Sequence, residues 1–177
     1  FFTKKGRCYW LKCYEIPECS RESKGMNIAN LLPLQADEKV TSFIKIPQFD
    51  EEKYLIMVTR KGIIKRIKLN AYNTARKGGL IALDLDEGDE LVAVRETDGS
   101  QRILIATHDG MACVFDETDV RAMGRTAVGV RGIRLREGDY VVGAARAQAG
   151  KQVLSITENG FGKKTPVEEY RITNRGG

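Results

Sequence analysis

The chain has 177 residues, 42% hydrophobic and 30% charged, which excludes a disordered or collagen-like polymer and is enough for a core that needs neither disulfides nor a structural metal. Lys and Arg number 29 against 24 Asp and Glu, a net charge of +5 with a pI near 9.0, which favours a polyanionic partner. The longest unbroken apolar run, Tyr54–Val58, is far short of the roughly 20 residues that span a bilayer, so a membrane is not expected as a partner.

The chain opens Phe1-Phe2-Thr3-Lys4-Lys5, with no initiator Met and no secretion signal, and reads as a piece of a longer protein. The motif Thr-x-x-Gly then recurs at Thr3–Gly6, Thr59–Gly62, Thr107–Gly110 and Thr157–Gly160, with the glycines 56, 48 and 50 residues apart. Strand-like runs precede three of these motifs: Tyr54–Val58, Arg102–Ala106 and Gln152–Ile156. Asp-Gly and Asn-Gly between such runs signal hairpins with type I′ turns. Ten residues beyond each glycine stands Ile16, Tyr72, Val120 or Tyr170, a repeated core position.

Each unit continues with a Gly-bearing loop and strand at Gly25–Leu34, Gly79–Leu85 and Gly132–Leu135. Acidic turns follow at Ala36–Glu38, Asp86–Asp89 and Arg136–Asp139, and then strands at Val40–Ile46, Leu91–Arg95 and Tyr140–Ala145. Four strands per unit of about 50 residues is the arithmetic of a propeller blade. The expected architecture is all-β, with about three complete repeats and partial blades at both ends, divided near residues 1–53, 54–101, 102–151 and 152–177.

Charge is partitioned within the repeats. The stretch Arg60–Lys68 carries five cations and no acid, and Arg121–Arg136 carries Arg121, Arg125, Arg131, Arg134 and Arg136, again with no acid between them. Arg76-Lys77 and Lys163-Lys164 occupy corresponding loops or hairpins, whereas acids crowd Asp84–Glu90. Corresponding loops at corresponding heights would give one basic and one acidic band. A basic band suits duplex phosphates, and the scarcity of aromatics beside it argues against single-strand stacking. The competing reading is a protein-binding scaffold whose basic loops are merely solvated.

Catalysis has little to stand on. His108, the one histidine, sits in a hairpin turn where Lys5 and Asn159 occupy similar positions, and the paired acids Asp86-Glu87 and Glu168-Glu169 lie in polar turns. Cys8, Cys13, Cys19 and Cys113 have neither zinc-site nor redox spacing and read as reduced thiols.

Several strings carry a specific resemblance: Cys8–Lys12, Asp86–Leu91, Met123–Ile133 and Glu158–Lys164. In order, and over essentially the whole chain, they resemble the C-terminal domain of bacterial DNA gyrase A. The resemblance implies a β-pinwheel, a propeller-like ring whose blades exchange strands and whose basic rim wraps duplex DNA. It implies no catalysis in this piece and no cofactor of its own. The complete enzyme is expected to use ATP and Mg, to join gyrase A with gyrase B in an A2B2 complex, and to be cytoplasmic and nucleoid-associated.

The family's heptapeptide, Gln-Arg-Arg-Gly-Gly-Lys-Gly, is absent. Arg76–Gly79 and Asn174–Gly177 are degenerate versions of it, and Ser23–Gly25 a fainter one. A parent without the heptapeptide would resemble the corresponding polypeptide of topoisomerase IV instead. Charge and resemblance together nominate Lys24, Lys65, Arg66, Arg76, Lys77, Arg121, Arg125, Arg131, Arg134, Lys163, Lys164 and Arg175 for DNA binding.

Overall fold

A computed structural model describes residues 1–74 and 78–177. Among them the regular structure is β-strand plus short 3-10 turns, with no α-helix. The Thr-x-x-Gly motif explains why hairpins recur. In all four motifs the glycine N–H donates to the threonine carbonyl at 3.0–3.2 Å. The threonine hydroxyl accepts the N–H of the residue after the glycine, at 3.3 Å from Arg7, 3.1 Å from Ile63 and 3.2 Å from both Met111 and Phe161. The four glycines have φ between 73° and 83°, and none of the residues before them has positive φ. The turns are therefore not type I′, which would need positive φ at both central residues. They are the longer hairpin loops that end on a left-handed glycine.

Strands β1 (Phe2–Thr3), β2 (Arg7–Cys8) and β3 (Val40–Ser42) open the chain. The second unit supplies β4 (Tyr54–Thr59), β5 (Ile63–Lys68), β6 (Leu80–Ile81) and β7 (Leu91–Thr97). The third supplies β8 (Arg102–Thr107), β9 (Ala112–Asp116), β10 (Val130–Arg131) and β11 (Val141–Arg146), and the last supplies β12 (Gln152–Ile156) and β13 (Gly162–Pro166).

The sheets do not coincide with these units. Their strand orders are β3-β1-β2-β6, β7-β4-β5-β10, β11-β8-β9 and β12-β13. Each four-stranded blade is completed by a strand of the following unit: Cys8 faces Leu80, and Ile64 faces Val130. Among the described residues two sheets, not three, are therefore four-stranded. The expected strand at Gly79–Leu85 shrinks to β6, and the one near Gly132–Leu135 lies just ahead of it as β10. Gly25–Leu34 forms no strand; a 3-10 turn at Ile28–Asn30, capped by the Asn27 side chain accepting the Ala29 N–H at 3.0 Å, stands in its place.

The core lies between blades. Along β4 and β5, Leu55, Met57 and Ile67 point into a first cluster with Phe2, Cys8 and Tyr72, while Ile56, Val58 and Ile64 point into a second with Ile103, Ile105, Phe115 and Val120. Alternate residues thus serve opposite neighbours, so the second blade has no solvent face. Leu104 and Val114 begin a third cluster toward the last hairpin. Tyr72 and Val120 are core as expected and Tyr170 is half-buried against the third cluster, but Ile16 is 45% exposed, standing just after the 3-10 turn at Cys13–Glu15.

Strand β11 runs beside β7, and β7 beside β3, so these form the inner edges; β6 and β10 lie at the opposite, outer edges. The acidic turns before the inner strands brace the hairpin turns. Asp89 Oδ1 accepts the N–H groups of Lys61 and Glu90 at 2.9 and 2.8 Å, and Asp139 Oδ1 those of Asp109 and Tyr140 at 3.1 and 2.8 Å. Glu38 accepts the Thr3 and Tyr9 hydroxyls at 2.7 and 2.6 Å. The acidic band is in part internal scaffolding.

Candidate nucleic-acid interface

The outer edge is fed by a recurring connection, which leaves the 3-10 turns Glu117–Asp119 and Val167–Glu169 and runs along the outer side of the preceding blade. The first copy is residues 121–131. Here Ala122 bridges Arg66, the Met123 N–H donates to the Arg66 carbonyl at 2.9 Å, and β10 pairs with β5. Gly129 has φ 118°, and a Cβ there would sit 2.7 Å from the Ile64 carbonyl oxygen; one at Gly132 would sit 2.9 Å from Ile105 Cδ1. These two glycines let the connection lie flat on the blade. Gly124 has open space around it.

On this frame Arg121, Arg125, Arg131 and Arg134 are exposed, and among the described residues none is ion-paired. The acids best placed to quench them are engaged elsewhere: Asp116 pairs with Arg102 at 3.2 Å and Glu117 with Arg66 at 3.3 Å. Arg175, half-buried, donates from Nε to the Asp119 carbonyl at 3.2 Å and from Nη1 to the Arg131 carbonyl at 2.5 Å, so it anchors the same edge from the following unit.

Two nominated cations are turned inward. Lys65 has no exposed surface, and Arg66 is 9% exposed, with its guanidinium 4.0 Å over the Tyr54 ring and Nη1 donating to the Val120 carbonyl at 3.3 Å. Both stand on β5, which is covered on both faces, so neither offers charge to a phosphate. Lys163 and Lys164, at the same offsets from their turn glycine, are exposed on β13. Lys24 is exposed in the irregular segment between the 3-10 turns at Cys13–Glu15 and Ile28–Asn30, with no strand to hold it near the others. Arg76 and Lys77 lie outside the described residues.

Arg7, which sequence reading did not nominate, borders the same edge, with its Nε 3.7 Å from Glu38. It is half-buried on β2, donates from Nη2 to the Gly78 carbonyl at 3.0 Å, and lines a groove of about 360 Å³ with Leu80, Ile81, Asp84, Arg125 and Thr126. The groove brings the outer strand of the first blade up to the loop that completes the second. The one available signal was its place one residue past a turn glycine.

Elsewhere the titratable groups are explained by packing. His108, Asp109 and Asp139 bring possible metal-ligating atoms within 4.8 Å of one another, and Asp139 Oδ2 is buried without a partner. Asp89 nevertheless makes the same turn brace as Asp139 in a unit with no histidine, so turn geometry accounts for the cluster. The His108 ring stacks on Tyr140 at 4.7 Å, and the Arg60 guanidinium lies 3.5 Å over that same ring, which bridges two blades. Burial pushes Glu38 upward, but hydrogen bonds from Tyr9, Gln35 and Thr3 outweigh it and hold the carboxyl below its ordinary range.

The profile of the family described as DNA gyrase C-terminal domain, beta-propeller, matches residues 1–47, 53–98, 101–148 and 151–177. The A polypeptide of DNA gyrase from Staphylococcus epidermidis is 49% identical, and that from Staphylococcus aureus 47%, over the whole of this chain. The chain spans 20% of the length of those relatives. The C-terminal domain of DNA topoisomerase IV superposes with a TM-score of 0.89 at 33% identity, covering 99% of this chain and 55% of that one. The DNA gyrase A C-terminal domain superposes at 0.84 with 26% identity, covering 99% and 56%. With strand exchange joining its blades and the profile matching once per hairpin, this chain belongs to the DNA gyrase C-terminal domain family of β-propellers.

Proposed function

We propose that this chain binds the sugar-phosphate backbone of duplex DNA along the outer edges of its blades and bends the duplex around them, as part of a gyrase A polypeptide that supports negative supercoiling by a larger enzyme. The observation that carries this reading is the set of four exposed, unpaired arginines on the connection that completes an outer edge. Guanidinium groups suit bidentate phosphate contact, and their summed counterion release gives affinity without sequence preference. No aromatic residue lies between Arg121 and Arg136, which fits backbone contact and not base stacking. Strand cleavage and nucleotide hydrolysis fall to the rest of that enzyme, and gyrase B with the remainder of gyrase A would be its partners.

The likeness to the topoisomerase IV domain supports a second reading, in which the edge selects DNA crossings without strong wrapping. Sealing nicked circular DNA in the presence of the chain separates the two. Wrapping shifts the linking number in proportion to bound protein, whereas binding without a shift supports the crossing-selective reading. Failure to bind duplex at low salt would leave the protein-binding scaffold.

A further inference from the structure

We infer that Lys65 is a positioning residue for the DNA-binding edge: from inside the molecule it fixes the backbone of the Arg121–Arg125 loop against the outer edge of the preceding blade, so that the arginines are presented at a set place. This inference rests on the reading of that edge as a duplex-binding surface. The observation behind it is the company Lys65 keeps. Its side chain is fully buried, and Nζ donates to the Ala82 carbonyl at 3.3 Å and to the Arg125 carbonyl. Ala82 follows directly on β6, the strand that closes the first blade; Arg125 belongs to the loop that leads into β10, the strand that closes the second. One ammonium on β5 thus ties together three separate pieces of chain. Tyr72 reinforces the first tie, its hydroxyl donating to the same Ala82 carbonyl at 2.7 Å.

Packing alone does not call for a cation here. Three residues past the turn glycine, the other units carry Tyr9, Cys113 and Lys163, and Cys113 is as well buried as Lys65 needs to be. A buried ammonium with only carbonyl acceptors is an expensive way to fill space, and a hydrophobic side chain of similar length would serve the core better. Burial accordingly pushes the Lys65 pKa down to about 8, helped by Arg125 and opposed by Asp84. A group that weakens the core while gripping the backbone under an exposed arginine is accounted for by what it does to the loop.

The test compares K65M with R125A in the 177-residue chain, using thermal melting and the salt dependence of binding to a fluorescently labelled mixed-sequence duplex. If Lys65 positions the loop, K65M melts at or above the temperature of the unaltered chain and binds roughly three- to tenfold more weakly, the scale of the net contribution of one ordinary hydrogen bond. Its log–log salt slope stays unchanged, whereas R125A lowers the slope by about 0.9 for the phosphate contact it loses. Unaltered affinity in a folded K65M overturns the inference. So does a slope reduced as in R125A, since Lys65 would then be touching phosphate itself. Should K65M not fold, K65Q, which keeps an N–H donor without the charge, is judged by the same affinity and slope. Failure of the unaltered chain to bind duplex would defeat the DNA reading itself; a variant that binds like the unaltered chain defeats only the role of Lys65.

Discussion

Replacing Arg121, Arg125, Arg131 and Arg134 together by Ala removes four exposed cations that no carboxylate holds, on a connection whose backbone is pinned by Arg66, Gly62 and Lys65. The fold should survive, because none of the four side chains is buried. If each reaches one phosphate, the slope of log K against log salt falls by about 0.9 per contact, or about 3.6 in all. Between 50 and 200 mM salt each such contact is worth a factor of about 3.5, so across that range the variant should lose about 150-fold less affinity than the unaltered chain does. Fluorescence anisotropy with a labelled duplex at four salt concentrations measures this directly. The comparison is a variant with Lys39, Lys45 and Lys151 changed to Ala, three exposed cations away from the outer-edge connections. Its slope should scarcely move. An equal change in slope per cation removed in the two variants would mean that net charge alone acts, and the outer-edge reading would be wrong.

Glu117→Ala leaves the Arg66 guanidinium buried without its carboxylate and strips the Thr97 hydroxyl and the Gln101 N–H of their acceptor, at 2.7 and 2.8 Å. Urea unfolding should show a loss of about 3–5 kcal/mol, and a loss under about 1 kcal/mol would contradict the burial argument. Gly129→Ala drives a Cβ into the Ile64 carbonyl at positive φ and should cost more than about 1 kcal/mol, with faster amide exchange at Gly132, whose N–H donates to Gly62; Gly124→Ala, in open space, should be neutral or stabilising by under about 1 kcal/mol. With a thiol reagent at pH 8, Cys13 and Cys19 should react in the native protein, while Cys8 and Cys113, whose thiols burial pushes up to about 11, should react only after denaturation.

The hairpins were legible because Thr-x-x-Gly encodes both of their closing hydrogen bonds locally. Strand exchange was not, since β6 and β10 are two residues long and their partners lie some seventy residues back in the chain. The arginine cluster at 121–134 could be read from sequence because it lies on an irregular connection, where acid-free charge has nowhere to go but outward. Lys65 and Arg66 misled for the opposite reason. On a strand covered on both faces, alternation assigns each residue to one of two interiors, and charge no longer marks the surface. Gly129 and Gly132 answer to contacts with Ile64 and Ile105, residues of other strands that no local pattern pairs with them.

Borrowing its last strand from the unit that follows gives the chain a direction in time. As it leaves a ribosome, the hairpin holding Arg7 and Cys8 keeps an open edge until Leu80 and Ile81 emerge, and the hairpin at Ile63–Lys68 waits for Val130 and Arg131. Each of these two blades therefore matures one repeat behind synthesis, and its newly finished edge is the one beside which the next loop of cations is laid.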